Sequence, residues 1–485
     1  MIQGLQIAGN PAPLLLNPRM ANRHGLVAGA TGTGKSVTLR VLAEHFSRIG
    51  VPTFLADVKG DLGGIARPAT PNKHIDERVD KLSLTDYSPE GFPVVFWDVF
   101  GEGGHPVRST ISEMGPLLLA RLLELNDTQT ATLQVLFKIA DEQGLLLLDL
   151  KDLIALLRHV SEHSKELQGE YGNLHSGTLG AIQRGLTAFE SAGGEPFFGE
   201  PALRLDDLLR PASDGRGYVH ILNAAKLFHS PHIYATTLLW LLSELFEQLP
   251  EVGDQEKPRL VFFFDEAHLL FRDLPKQMQD KVEQIIRLIR SKGVGVFFVT
   301  QSPMDVPDQI LGQLGNRIQH ALRAYTPKDQ RTIQGTADTF RRNPDLDVAA
   351  TLTSLGVGEA LISFLDEKGT PGVVQRGLVC PPRSLLGASD PNVIREVRAA
   401  SPFGTFYDKV LDRDSAYEEL KRQAEREAKE AEKNAEEPKS KAAPKRRGDS
   451  PTTAFIKSTL RTVGTALGRE IVRGIMGSIT GRRRR

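Results

Sequence analysis

The sequence predicts an α/β fold, a mostly parallel sheet split by a helical insertion and followed by a helical C-terminal tail. Three observations predict it. Short apolar runs alternate with helical periodicity up to about residue 98. A glycine-rich loop joins the first of these runs to a helix, and the runs resume at 217 after roughly a hundred residues rich in Leu, Gln and Glu. Strands that alternate with helices mark a parallel sheet, whose ligands sit at the carboxyl ends of the strands.

The first buried strand spans 24–28, and Val37, Leu39, Val41, Leu42, Phe46 and Ile49 mark a helix over 37–49. Between them lies Gly29-Ala30-Thr31-Gly32-Thr33-Gly34-Lys35-Ser36, which fits the phosphate-binding pattern G-x-x-x-x-G-K-[ST]. The glycines let the backbone curl so that several N–H groups face one anion, at the positive end of the next helix. Lys35 suits the β- and γ-phosphates, and the Ser36 hydroxyl suits Mg²⁺. The expected nucleotide contacts are therefore Gly29, Ala30, Thr31, Gly32, Thr33, Gly34, Lys35, Ser36 and Val37. In this strand–loop–helix frame the pattern predicts binding of a nucleoside triphosphate.

A second strand over 52–57 ends in Asp57-Val58-Lys59-Gly60-Asp61, and a third spans 93–98. Helical segments such as 114–125 and 128–139 follow, and strands return at 217–222, 259–264, 295–300, 316–323 and 360–364. Residues 1–108 and 216–412 thus read as two parts of one core, with 109–215 as the helical insertion. The segment 413–451 reads as a charged helix over 417–437, polar nearly all round, and a basic, disordered linker over 438–451. In 452–485 an apolar stripe of Ile456, Leu460, Val463, Leu467, Ile471, Ile475 and Ile479 is interspersed with Lys457, Arg461, Arg469 and Arg473. This spacing predicts a basic amphipathic helix.

The strand over 259–264 closes with Asp265-Glu266, carboxylates delivered to the same sheet edge as the glycine-rich loop. Asp265 is placed to hold Mg²⁺, and Glu266 to orient or deprotonate an attacking water. The next strand ends in Thr300-Gln301, where the Gln301 amide can sense the γ-phosphate.

Bulk properties narrow the setting. The 485 residues carry 60 Lys and Arg against 60 Asp and Glu, but from Arg413 onward the cations exceed the anions by about eight. The body therefore lacks a large basic footprint, leaving a local basic channel in an oligomer as the way to hold nucleic acid. Cys380 is the only cysteine, the N-terminus has no secretory pattern, and no apolar run is long enough to span a bilayer. These features suit a cytoplasmic protein.

The ordered motifs GATGTGKS, DVKGD, FFFDEAH and VTQSP resemble those of the HerA/FtsK group of P-loop motor ATPases. Within it the likeness is strongest to bacterial HerA-like proteins of the YjgR type, and it covers nearly the whole chain. The resemblance implies a RecA-like core that hydrolyses ATP with Mg²⁺, with Lys35 and Ser36 on phosphate and metal, Asp265 and Glu266 on metal and water, and Gln301 as polar sensor. It implies a hexameric ring of identical subunits on double-stranded DNA, with an arginine from one subunit completing its neighbour's site. Arg23 matches the arginine in the HerA pattern, and Arg317 matches a second arginine position. Planar guanidinium donors suit charge developing on a transferring phosphoryl group. HerA proteins carry a small β-barrel ahead of the ATPase, but only about 25 residues precede this P-loop strand, too few for such a domain. Nuclease pairing and DNA-end processing are therefore not expected.

Two rivals remain to be weighed. Asp265-Glu266-Ala267-His268 spells DEAH, yet the arginine-rich motif of a second helicase domain is absent downstream, which leaves His268 as a helix-start residue. The other reading is an ATP-driven motor or switch on a protein or membrane-associated assembly, docked through 452–485. Four cationic side chains along that helix oppose a transmembrane span. Adenine is expected over guanine from the resemblance, since no Asn-Lys-x-Asp pattern occurs.

Overall fold

A segment that is apolar along its whole length can be a strand only if both its faces are covered. The computed structural model describes residues 4–227, 230–272, 274 and 276–436. Among them are twelve strands: β1 (Leu5–Asn10), β2 (Ala12–Leu16), β3 (Gly25–Ala28), β4 (Thr53–Asp57), β5 (Val94–Asp98), β6 (His105–Pro106), β7 (Val219–Asn223), β8 (Leu260–Phe264), β9 (Val294–Thr300), β10 (Asn316–Gln319), β11 (Glu359–Ser363) and β12 (Gln375–Val379). They form one sheet in the order β2-β1-β12-β11-β10-β3-β9-β8-β4-β7-β5-β6. From β10 to β6 every neighbouring pair is parallel, and β11, β12, β1 and β2 extend the sheet antiparallel. Strands β3, β4, β5, β8 and β9 are buried at every position.

Successive side chains of these strands point to opposite faces. On one face Val27, Phe263, Phe297 and Val299 meet helix α1 (Lys35–Arg48) through Leu39, Leu42 and Phe46. The Phe46 ring lies 6.4 Å from Phe263 and 6.3 Å from Phe297. On the other face Leu26, Phe262, Phe264 and Phe298 meet the helices that follow β6.

After the short α2 (Lys73–Lys81), those helices are α3 (Ile111–Leu122), α4 (Asp127–Gln143), α5 (Leu150–Glu162), α6 (Ser164–Tyr171), α7 (Ser176–Ser191) and α8 (Leu205–Leu209). Reciprocal caps start three of them: Thr110 with Glu113, Asn126 with Gln129, and Asp149 with Asp152. Then come α9 (Pro231–Gln248), α10 (His268–Phe271) and α11 (Lys276–Ile289).

Among the described residues the strands and helices read from the sequence are present, with local corrections. The helix expected over 114–125 starts at Ile111 and is interrupted at Gly115, where φ is 69° ahead of Pro116. The strand expected over 316–323 stops at Gln319: the His320 N–H still donates to Ala28 O, but the Ala30 N–H then goes to Ala321 O, one residue out of step with the ladder. Strands β1, β2 and β12 were not expected; their alternation is short, and their burial depends on neighbours far away in the chain. The residues ahead of β3 thus extend the sheet.

The chain divides into two compact units after Arg422, and the helix Ala416–Glu436 runs past that point. The expected linker over 438–451 and amphipathic helix over 452–479 lie outside the described residues. No helix among the described residues is long and apolar enough to cross a membrane.

Four imidazoles are locked inside this fold. Burial holds His24, His45 and His320 down at about 4 and His220 at about 3. In the unfolded chain they titrate near 6.5, so as pH falls the unfolded state takes up protons first. Their contribution is complete above about pH 6.5 and is lost as pH falls toward 4. The melting temperature should therefore drop between about pH 7 and about pH 5. A flat profile across that window would contradict the buried neutral state.

Candidate functional site

Parallel strands deliver everything that follows them to one edge. In the order β10-β3-β9-β8-β4 that edge receives His320, the loop 29–34, Gln301, Asp265-Glu266 and Lys59. The register aligns Ala28 with Gln319 and with Thr300, and Phe264 with Phe298.

The loop is braced from three sides. The Gly29 N–H donates to Thr300 O (3.2 Å), the Ala30 N–H to Ala321 O (2.8 Å), and the Gly358 N–H to Thr33 O (2.9 Å). Gly29 and Ala30 have thus given their N–H groups to neighbouring strands, so the loop's contribution to an anion falls to its later positions. Gly29 has no room for a β-carbon, which would sit 2.5 Å from His320 Cβ. Gly34, at φ 119°, begins α1 and lies against Gly358. His320 bridges Thr38 Oγ1 (2.8 Å) and Glu359 O (2.9 Å) behind the loop.

Lys35 Nζ donates to Gly29 O (2.6 Å) and Ala30 O (3.1 Å), curled over the loop's mouth. Burial, and then repulsion from Lys59, pulls its ammonium below the ordinary lysine value, while Glu266, Asp265 and Asp305 oppose that pull. Ser36 and Val37 are half-buried at the start of α1, and Thr31 and Gly32 are exposed.

The two carboxylates after β8 are both buried. Burial and the adjacent Glu266 raise Asp265 to about 7, against the pull of Lys59. The Tyr234 hydroxyl on α9 donates to Asp265 O (2.6 Å), which fixes the end of the strand. Glu266 has φ 49°, a left-handed conformation uncommon for a side-chain-bearing residue. Its Oε2 is buried without a hydrogen-bond partner among the described residues. A hard divalent cation and its water shell fit this donor set: a hydroxyl at Ser36, a carboxylate at Asp265 and an unsatisfied oxygen on Glu266.

Beyond β9, Asp305 accepts from Thr300 Oγ1 (2.7 Å) and the Ser302 N–H (2.9 Å), shaping the turn that exposes Gln301. Gln301 opens on a cavity of about 490 Å³ shared with His268, Phe271, Arg272, Ser302 and Asp305.

The two arginines lie elsewhere. Arg23 and Arg317 sit at the amino ends of β3 and β10, the edge opposite the loop. Arg317 donates to Leu314 O (3.1 Å), Thr339 O (3.0 Å) and Leu311 O (3.1 Å), so its guanidinium is engaged within its own subunit. Arg23 is half-buried and packs against Gly369, and among the described residues its guanidinium has no acidic partner. Its neighbour His24 donates from Nε2 to Ile286 O (2.7 Å) and accepts the Val296 N–H at Nδ1 (3.1 Å), tying the start of β3 to α11 and β9.

The model of the family described as "Helicase HerA-like C-terminal" matches residues 5–485. This chain belongs to that family. It is a P-loop ATPase of the HerA/FtsK type with a RecA-like core. It is similar to the DNA double-strand break repair helicase HerA of Sulfurisphaera tokodaii, at 22% identity over 411 residues, covering 81% of this chain and 72% of the relative. The protein of the same name from Saccharolobus solfataricus is 24% identical over 396 residues, covering 80% and 70%. Among solved structures the bacterial conjugative coupling protein TrwBdeltaN70, in a trigonal form with sulphate, shares the fold. Its TM-score is 0.51 at 14% identity, over 80% of this chain and 94% of that one.

Sequence reasoning named the loop, Asp265, Glu266 and Gln301, which this HerA-like fold gathers at one edge. It did not find Tyr234, His320 or Asp305. Tyr234 and His320 reach their partners from elements remote in sequence, whereas Asp305 closes a local capping box with Ser302 whose S-x-x-D spacing could have pointed to it.

Proposed function

We propose that this HerA-like chain hydrolyses Mg²⁺-ATP as a ring of six copies and moves along double-stranded DNA. The observation that carries the reading is the convergence of Lys35, Ser36, Asp265, Glu266 and Gln301 at one sheet edge while Arg23 faces away at the other. The later loop N–H groups, with Lys35, cradle the phosphates, and Val37 continues the contact at the start of α1. Ser36 and Asp265 hold Mg²⁺, which when bound neutralises charge on the β- and γ-phosphates. Glu266 orients the attacking water and accepts its proton, and Gln301 contacts the γ-phosphate side.

Neither arginine lies at its own subunit's loop, so either of them reaches a γ-phosphate only from a neighbouring copy. Arg23 suits this role better than Arg317, whose donors are already in use. The reading sets the protein in the cytoplasm, where the lone Cys380 stays a thiol. DNA as the polymer is supported by the names of the relatives, both DNA double-strand break repair helicases.

Lys35→Ala should lose nucleotide binding or turnover, while Glu266→Gln should bind ATP normally and hydrolyse it at least about 100-fold more slowly. Hydrolysis by Glu266→Gln at the wild-type rate would remove Glu266 from this role. Arg23→Ala should be inactive alone and regain turnover in rings mixed with Lys35→Ala subunits; no recovery in verified mixed rings would count against a shared site. The ATPase rate should rise with double-stranded DNA, and the gain should fade steeply between about 50 and 200 mM salt. Indifference to DNA with stimulation by anionic vesicles would instead favour action on a membrane-associated assembly through 452–485.

A further inference from the structure

The segment Asp57-Val58-Lys59-Gly60-Asp61 begins at the last residue of β4, the strand beside β8, and the roles assigned so far leave it unused. Its shape is set by Asp57. One carboxylate oxygen accepts the N–H groups of Gly60 (2.7 Å) and Asp61 (3.1 Å), and the other accepts the N–H of Leu62 (3.0 Å). Gly60 makes the turn at φ 71°. A loop tied at three points does not wander, so the side chain it carries starts from a fixed place.

That side chain is Lys59, and its Nζ lies 3.3 Å from Glu266 Oε1. The pair is unequal. The Lys59 side chain is 41% exposed and Glu266 only 8%, so a cation anchored at the rim reaches inward to a buried carboxylate. Burial works against the Lys59 charge, but Asp265 and Glu266 outweigh it and raise the ammonium above its ordinary value. The contact engages Oε1 alone. Oε2 is buried with no hydrogen-bond partner among the described residues, and His268 Nδ1, at 3.4 Å, is not aligned to bond it. Glu266 reaches this position from a left-handed backbone, which needs something to hold it.

We propose that Lys59 is the positioning residue for Glu266, holding one carboxylate oxygen so that the other faces the reacting water. This rests on the ATPase role given to Glu266. A carboxylate free to rotate presents its lone pairs in many directions; one fixed at a single oxygen presents the other along a defined line. Lys59 acts through Glu266 and not on the phosphates, which Lys35 holds.

The full-length protein tests this by steady-state kinetics. Lys59→Met should lower kcat about tenfold or more while KM for Mg²⁺-ATP changes less than about twofold. Lys59→Arg, which keeps the charge, should restore much of the rate. In a Glu266→Gln background Lys59→Met should lower the rate no further, because the group it orients is already gone. Lys59→Met turning over at or above the wild-type rate would overturn the proposal, as would a loss confined to KM, which would make Lys59 a phosphate ligand. Independent losses from the two substitutions would also overturn it. Unchanged melting temperature and analogue binding in both Lys59 variants separate these outcomes from misfolding. If Glu266→Gln itself hydrolysed ATP normally, the role of Glu266 would fail and this proposal with it. A silent Lys59→Met beside an inactive Glu266→Gln would sink this proposal alone.

Discussion

Everything at this site depends on the parallel pairing of β10, β3, β9, β8 and β4. Parallel strands share a direction, so the loops that leave them share an edge. Five chain segments that are remote in sequence arrive together without any of them being long. That pairing has its own requirement, because a parallel sheet must be covered on both faces. Helix α1 covers one side, and the helices from α3 to α11 cover much of the other. The helices over 111–209 therefore serve the site indirectly: they pack against the strands that lead to Asp265 and Lys59.

The electrostatics follow from the same convergence. Lys35, Lys59 and Asp265 are each shifted by charged neighbours in this cluster, Glu266 among them. Two lysines thus face two carboxylates at this edge, one of them raised to about 7, and Mg²⁺-ATP would bring further negative charge to it. The cost of burying the Asp265 carboxylate is partly offset by the Lys59 cation and by the Glu266 N–H, which donates to Asp265 Oδ1 (2.9 Å).

The sequence made the parallel core legible because its central strands are largely apolar and are punctuated by glycine and by acidic residues. Leu260 to Phe264 could hardly be anything but a buried strand, and the carboxylates behind it had one edge to go to. Strands β1, β2 and β12 were harder to see. Three of the five residues of β2 are exposed and Pro13 lies within it, and β12 carries Gln375 and Arg376, so neither reads as a central strand. The break at Gly115 was hidden because Met114 ahead of it and Leu118 and Leu122 after it keep helical spacing. Within the site, the motif residues were legible and their supports were not. Asp57 to Asp61 was visible as a strand end, but the pairing of Lys59 with Glu266 exists only once β4 lies beside β8. Arg23 and Arg317 looked alike in sequence; the hydrogen bonds of Arg317 to three carbonyls separate them.

Cys380 gives the molecule a useful chemical blankness. The single thiol of the whole chain is 5% exposed, and burial pushes it up to about 12. A thiol reacts as its thiolate, so at neutral pH this one is both covered and uncharged. A cysteine introduced at the rim of β3 or beside Gln301 would be the one site open to a maleimide dye, with no native residue to remove first. Motions at either edge of the sheet can thus be followed by fluorescence in an otherwise unaltered protein.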